Sequence, residues 1–286
     1  MANIRLIRRR IKGVQSTAKI TRAMEMIAAS KMRKAQERGL AGRPYSEKIT
    51  QVLSALAAIP GAGKELHPCL TCRQPVNKIT VIHITPDRGL AGGLVSAMNR
   101  KIANFILEQT VPVDLIAIGR KGIDYLRRTG QNVTAEFVGL GDRPSLIDTL
   151  PISHIIIDDY SNAATDEVYL AYTRFVNTMM QMPVIERILP VEPAPIPAPE
   201  NVDYIYEPGP TQVLEGLLPR FVEMQVYHHI LEAIASEQSA RMVAMRNATE
   251  NANELIDDLT LAYNKARQEM ITTELLDITG GAVALE

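Results

Sequence analysis

The sequence predicts an α/β protein: long coiled-coil helices at its two ends and a central α/β domain of about five strands. Three observations carry this. Thr211 to Ala284 reads as helix, and after Gly216 and Pro219 no glycine or proline occurs before Gly280, a run far longer than an ordinary globular helix. A second helical stretch runs from about Asn3 to Ala58. Between them, short β-branched runs alternate with amphipathic stretches and turns, the texture of an α/β domain.

In chain order, residues 1–58 form the first coiled-coil helix. Ile4, Ile7, Ile11, Val14 and Ala18 recur in steps of three and four, the 3.5-residue repeat of a coiled-coil seam. Glu25 falls on an apolar position, so Met24 and Ile27 are expected to take over the seam through a register shift, which alters the supercoil locally without ending the helix. Residues 59–77 form a connecting loop. It carries the two cysteines in His67-Pro68-Cys69-Leu70-Thr71-Cys72. Two thiols and one histidine fall one ligand short of a structural zinc site, and the strand-to-helix context of a redox motif is missing. The expectation is an ordinary loop with reduced thiols, with a local redox or metal clip as the sharper alternative.

Residues 78–190 form the central domain. Strands are expected at Lys78–Ile84, Val113–Ile118, Asn132–Val138, Val168–Phe175 and Val184–Leu189, with helices at Ser96–Gln109 and Gly122–Arg128. Ile152–Asp158 is a short apolar run that fits strand or helix. Residues 191–210 are a proline-rich linker, and residues 211–286 form the second coiled-coil helix. There Pro219 starts a new segment or introduces a kink. Met245, Ala248, Ala252, Leu255, Leu259, Ala262 and Ala266 suggest a seam, and its four alanines imply close packing. At about 1.5 Å per residue, the stretch after Pro219 spans roughly 90 Å and needs a partner along its length.

Charge points to that partner. Residues 1–38 carry a net +9 and residues 237–286 a net −5, which favours pairing the two ends over pairing copies of either. The chain as a whole carries a formal net charge of −1 with 46% hydrophobic residues, a composition for a real core and against bulk nucleic-acid binding. The basic N-terminal stretch contains no aromatic residue to stack on bases. No run of eighteen apolar residues reads as a membrane span. The N-terminus lacks an apolar signal core, and its heptads begin at Ile4, so no cleaved presequence is expected.

The turn Thr85-Pro86-Asp87-Arg88-Gly89-Leu90-Ala91-Gly92-Gly93 follows the first strand and opens a helix, where a doubly wound enzyme would hold a phosphate. It matches neither the dinucleotide fingerprint nor a P-loop, and its glycines equally serve a tight turn. A nucleotide-binding enzyme with dimerising helical arms is therefore one competing reading, and a coiled-coil tether or nucleic-acid adaptor is another. His83 and His154 lie in apolar runs without a nucleophile frame and read as core or half-buried histidines. Met24, Met26, Met32, Met179, Met180, Met182, Met242, Met245 and Met270 read as core and interface filler.

Specific strings narrow the choice. Ile20-Thr21-Arg22-Ala23-Met24-Glu25-Met26-Ile27-Ala28-Ala29-Ser30-Lys31-Met32 resembles the N-terminal helix of the gamma subunit of F-type ATP synthase. Asp87 to Leu94 resembles that family's central motif. Ser236 to Met245 and Tyr263 to Gln268 resemble its C-terminal helix, and Ile271 to Ala282 its closing signature. These strings span the chain in order.

The resemblance implies an antiparallel coiled coil inserted into a hexamer of alternating alpha and beta subunits. A central Rossmann-like domain then forms the foot that meets the epsilon subunit and the membrane rotor ring. It also implies helix at Ile152–Ala163. One copy serves each complex as a rotor, with no catalytic residue, metal or cofactor of its own. By the same resemblance Arg241 and Gln268 contact beta, and Thr272, Glu274 and Asp277 act in coupling. Met24, Arg8, Arg9 and Lys31 face an acidic loop of beta. Pro219 departs from the family pattern, and the chain lacks the cysteine-bearing insertion of the chloroplast type, so light-linked thiol control is not expected. The implied location is the cytoplasmic face of a bacterial plasma membrane.

Overall fold

The computed structural model describes residues 4–57, 67–192, 206–207 and 209–283. The central elements are β1 (Ile79–Ile84), α2 (Leu94–Glu108), β2 (Val113–Ile118), α3 (Arg120–Arg128), β3 (Val133–Phe137), α4 (Leu146–Ser161), β4 (Glu167–Phe175) and β5 (Gln181–Leu189). They follow the first long helix, α1 (Ile4–Ala57), and precede the second, α5 (Pro210–Val283). Both long helices run through an internal proline, α1 across Pro44 and α5 across Pro219. Residues 59–66 of the expected loop at 59–77 and most of the linker at 191–210 lie outside the described residues.

The chain divides into two compact units, one of residues 1–28 with 241–286 and one of residues 29–240. In the larger unit the five strands form one sheet in the order β3-β2-β1-β4-β5. All neighbours are parallel except β4 and β5, which form an antiparallel hairpin. β1 is buried at every position, as a central strand covered on both faces must be. Its period of two sends Ile82 and Ile84 to one core and Ile79 and Val81 to the other.

The second core lies under α2 and α3, where Met98, Ile102, Ile123 and Leu126 cover the sheet. The first core is larger. It gathers Leu53 and Leu56 of α1, Ile152, Ile156 and Tyr160 of α4, and Leu214, Leu218, Val222, Val226, Ile230 and Ile234 of α5. Those α5 residues recur every four positions. At 3.6 residues per turn such a stripe rotates about 40° per step around the helix axis.

The run at 152–158 is helix, and it begins earlier than the apolar residues do. Ser145 donates to Asp148 Oδ2 from its backbone N and from Oγ, both at 2.7 Å, a start signal that hydrophobic periodicity alone does not register. Helical geometry buries Ile152, Ser153 and Ile156 and turns His154 outward. There its Nε2 lies 3.5 Å from Glu223 and its side chain is 60% exposed, so the expectation of a core or half-buried histidine is corrected at that position. β5 likewise starts at Gln181, three residues before its apolar run, because its hairpin partner β4 extends the ladder.

The methionines read as core and interface filler divide by burial. Met242 and Met245 are buried, whereas Met26, Met179, Met180, Met182 and Met270 are exposed. Cys69 and Cys72 are free thiols, Cys69 buried and Cys72 exposed. Burial pushes the Cys69 thiol up to about 11.

His83 fulfils its reading as a core histidine. It is fully buried on β1, with Nε2 3.0 Å from Asn99 Oδ1 of α2. Gly122 of α3 sits against it so closely that a Cβ there would meet the His83 ring at 2.7 Å. Burial in this apolar layer pushes the imidazole down to about 4, because the charged form loses its hydration. In the unfolded chain the same ring titrates near 6.5. Between those values the unfolded state binds the extra proton, so stability falls as pH is lowered from 6.5 to 4. Denaturant unfolding of the chain and of His83→Gln should therefore show the difference between them shrinking by about 3 kcal/mol from pH 7 to pH 4. An equal difference at both pH values would refute a neutral buried ring.

Candidate functional site

The predicted site residues fall on the long helices, so the site is a surface whose geometry is set by the helix seam. In α1 the buried and half-buried positions include Ile4, Ile7, Ile11, Val14, Ala18, Thr21, Glu25, Ala28, Met32 and Ala35, then Gly39, Gly42, Ser46, Ile49, Leu53 and Leu56. Every step is three or four, and no register shift occurs. Glu25 keeps its seam position, while Ile27 is 55% exposed. The expected handover to Met24 and Ile27 is thus corrected. A carboxylate is held at the seam because Arg246 Nε donates to Glu25 Oε1 at 2.9 Å.

One turn away, the Thr21 and Thr249 hydroxyls share a hydrogen bond of 2.7 Å, with both residues buried. Thr249 also reaches Met245 O at 2.9 Å and Thr21 reaches Ala18 O at 3.1 Å. These pairings, 21 with 249 and 25 with 246, make the helices antiparallel. They also fix the α5 seam as Met242, Met245, Thr249, Ala252, Ile256, Leu259, Tyr263 and Ala266, all buried or half-buried. The purely apolar reading is corrected here: Leu255 and Ala262 are exposed, and Thr249, Ile256 and Tyr263 occupy the seam instead. Choosing alanine and leucine over threonine and tyrosine misses residues that enter a seam through a hydroxyl or a ring edge.

At one residue per residue, the register places Ile4 level with Ala266. The described α5 continues to Val283, about 25 Å farther at 1.5 Å per residue. Along that extension Met270, Ile271, Leu275, Leu276 and Ile278 are exposed, the last two at 65% and 69%.

Of the predicted residues, Arg8 and Arg9 are exposed on α1, and Met24 is half-buried beside the seam. Arg241 is half-buried at the start of the paired segment of α5. Gln268, Thr272, Glu274 and Asp277 are exposed on the extension, where Thr272 Oγ1 donates to Gln268 O at 2.9 Å. These eight belong to the smaller unit and are spread along two helix surfaces, not gathered at a point. Lys31 belongs to the larger unit, and its Nζ lies 2.7 Å from Asp142 Oδ2. Sequence reading missed Thr21, Thr249, Arg246 and Asp142. Glu25 on an apolar seam was the available signal for Arg246, since a half-buried charge needs a partner.

The crevice at the carboxyl ends of the strands tests the nucleotide reading. A cavity there, lined by Thr85, Asp87, Gly119, Phe137 and Thr173 among others, measures about 50 Å³, well below the 300 Å³ or more of a ligand pocket. Asp87 of the glycine turn is engaged within the protein, accepting from Arg120 N and from Gly139 N at 3.0 Å each. Among the described residues no group of three His, Cys, Asp or Glu side chains converges. No helix among them is long and apolar enough to cross a membrane.

Comparison with known proteins gives a consistent picture. The sequence model of the family described as ATP synthase matches residues 3–285. The ATP synthase gamma chain of Dehalococcoides mccartyi is 65% identical over 285 residues, covering 100% of both chains. That of Herpetosiphon aurantiacus is 50% identical, covering 100% of this chain and 99% of its own. Among solved structures, a chain of the central stalk and c-ring of the Tetrahymena thermophila mitochondrial ATP synthase shares the fold. It has a TM-score of 0.60 and 24% identity, over 80% of this chain and 99% of that one. A chain of the Euglena gracilis mitochondrial ATP synthase rotor gives a TM-score of 0.63 at 17% identity, over 94% and 98%.

The seam register is open to direct test. With cysteines at both positions, Ala18→Cys with Ala252→Cys should form a disulfide under mild oxidation, detected as a linked peptide after proteolysis. Ala18→Cys with Leu255→Cys should not, because position 255 faces away from the seam. Crosslinking of the second pair in preference to the first would restore the purely apolar register.

Proposed function

The chain belongs to the ATP synthase gamma family, the non-catalytic rotor subunit of the central stalk, and from that premise we propose how its surfaces act. The observation that carries the reading is the antiparallel helix pair whose α5 outruns its partner and exposes apolar side chains along the extension. An exposed apolar helix of that length is suited to an apolar sleeve of partner protein. In this reading the sleeve is the hexamer of alternating alpha and beta subunits, and one copy of the chain stands in it.

Two helices locked along one seam resist twisting better than either alone, so rotation at one end reaches the other. The exposed side chains then meet the three catalytic sites unequally. Ion-driven rotation forces those sites in turn to bind, react and release, and hydrolysis drives the helix pair in reverse. The chain supplies no acid, base or nucleophile to this chemistry. Arg8, Arg9 and Lys31 face an acidic loop of beta by charge complementarity, and Met24 meets the same loop beside them. Arg241 and Gln268 grip beta at defined angles, and Thr272, Glu274 and Asp277 complete the coupling surface on the extension. The α/β domain serves as the foot toward the epsilon subunit and the membrane ring, at the cytoplasmic face of a bacterial plasma membrane. The small-residue, mostly apolar sequence at the tip of the extension, Thr279 to Leu285, carries no charged side chain, so it allows turning without trapping one angle.

Co-expression with cognate alpha and beta subunits tests this reading. The chain should co-purify in one copy per hexamer, and ATP hydrolysis should depend on it. In the complete membrane enzyme, removal of residues from Ile271 onward should lower ATP-driven ion pumping while the α/β domain stays folded. Arg241→Ala should lower coupled synthesis on the order of tenfold, the effect of losing one charge-assisted hydrogen bond. Full coupled activity after the deletion would count against the proposed role of the extension.

A further inference from the structure

The β3–α4 loop, residues 138–145, carries a carboxylate that holds both long helices at once. Asp142 Oδ2 lies 2.7 Å from Lys31 Nζ on α1, and Asp142 Oδ1 accepts from Gln238 Nε2 on α5 at 2.9 Å. Each oxygen of the fork therefore goes to a different helix, and all three residues belong to the larger unit. Gln238 is only 1% exposed, so its amide donor depends on this partner.

The loop that presents Asp142 is fastened on both sides. Gly139 N donates to Asp87 Oδ2 at 3.0 Å, and the Asp87 carboxylate also accepts from Arg120 N at the start of α3. Gly139 and Gly141 have φ of +76° and +71°, the left-handed backbone a loop this tight needs. After Asp142, Tyr227 Oη donates to Pro144 O at 3.4 Å and Ser145 caps α4 through Asp148. The next residue of α5 is tied to the β4–β5 hairpin as well: Ser239 Oγ donates to Thr178 O at 2.8 Å and accepts from Gln181 Nε2 at 3.3 Å.

Asp142 and Lys31 are 39% and 35% exposed at their side chains, and an ion pair that open contributes little to stability. Its geometry is better suited to position than to stability. We infer that Asp142 is a positioning residue for torque transfer, yoking α1 and α5 to the α/β domain. Load on the helix pair then passes into the domain through a loop fixed by Asp87. The inference rests on the rotor reading and names a route for the load within it. It also sets the Lys31 ammonium, which is held by Asp142 and not left to swing along the helix surface.

The test uses the complete enzyme in membrane vesicles, reading ATP hydrolysis and ATP-driven ion pumping together, with and without an opposing ion gradient. Asp142→Asn keeps the shape and the acceptor for Gln238 but removes the negative charge that faces Lys31. Asp142→Ala removes both arms, and Asp142→Glu keeps the carboxylate. Ions pumped per ATP against a gradient should fall at least threefold in Asp142→Ala and by a smaller factor in Asp142→Asn. The ratio should recover in Asp142→Glu, and without a gradient all three should approach the wild-type ratio. A purely structural role would lower the ratio with and without load alike. If Asp142→Ala does not assemble, Asp142→Asn decides: a wild-type ratio under load in that variant overturns the inference. Loss of pumping by the unmodified chain would instead overturn the rotor reading itself.

Discussion

Everything in the smaller unit depends on two helices keeping the same step along a shared seam. An α-helix repeats every 3.6 residues and a coiled-coil seam every 3.5, so any misplaced side chain propagates along the whole contact. α1 keeps its steps of three and four without a break from Ile4 to Leu56. Apolar side chains alone specify such a register weakly, because they pack acceptably after a one-heptad slide. The threonine pair at 21 and 249 and the ion pair at 25 and 246 remove that freedom. A slide would bury hydroxyls and a carboxylate without partners, which costs far more than the pairs contribute when made. Polar residues at a seam lower its apolar area and gain a unique alignment.

The same logic, with different parts, governs the α/β domain. Gly122 lets α3 approach β1 to the point where a methyl group would strike His83, and Gly119, at φ of +87°, has Thr85 O only 1.9 Å from where its Cβ would stand. These close approaches occupy the strand ends where many doubly wound proteins open a ligand crevice. Asp87, on the glycine turn at this end of the sheet, is committed to two backbone donors. The domain has the layout of a nucleotide-binding fold with its crevice closed by its own side chains, consistent with a subunit that transmits force and performs no bond chemistry.

Much of this was legible in the sequence. The two long helices follow from length and from the scarcity of glycine and proline, and the strands from β-branched runs. Opposite net charge indicated that the ends pair with each other. What was not legible were the places where a polar side chain does an apolar side chain's job. Glu25 read as a flaw in the seam, yet it stays because Arg246 meets it from a residue 221 positions away. Leu255 and Ala262 outrank Thr249, Ile256 and Tyr263 on a simple apolar count only in part, and the true stripe was decided by its match to α1. His154 turned outward because its apolar neighbours formed a helix, whose start is signalled by Ser145 and Asp148 and not by hydrophobicity. Asp142 gave no signal, since a lone aspartate in a glycine-rich loop has the pattern of an ordinary turn.

The stretch of α5 beyond Ala266 has a further consequence for the life of the chain in the cell. A helix of that length standing alone in water is near the limit of self-sufficiency, and its apolar side chains face solvent. Until a partner covers them, this end opens readily and offers itself to proteases and chaperones. On the proposed seating in a sleeve of partner protein, surplus copies made without the rest of the complex are open to removal through the same side chains that assembly would cover. Turnover of the unassembled subunit is thus written into the feature that makes it useful once assembled.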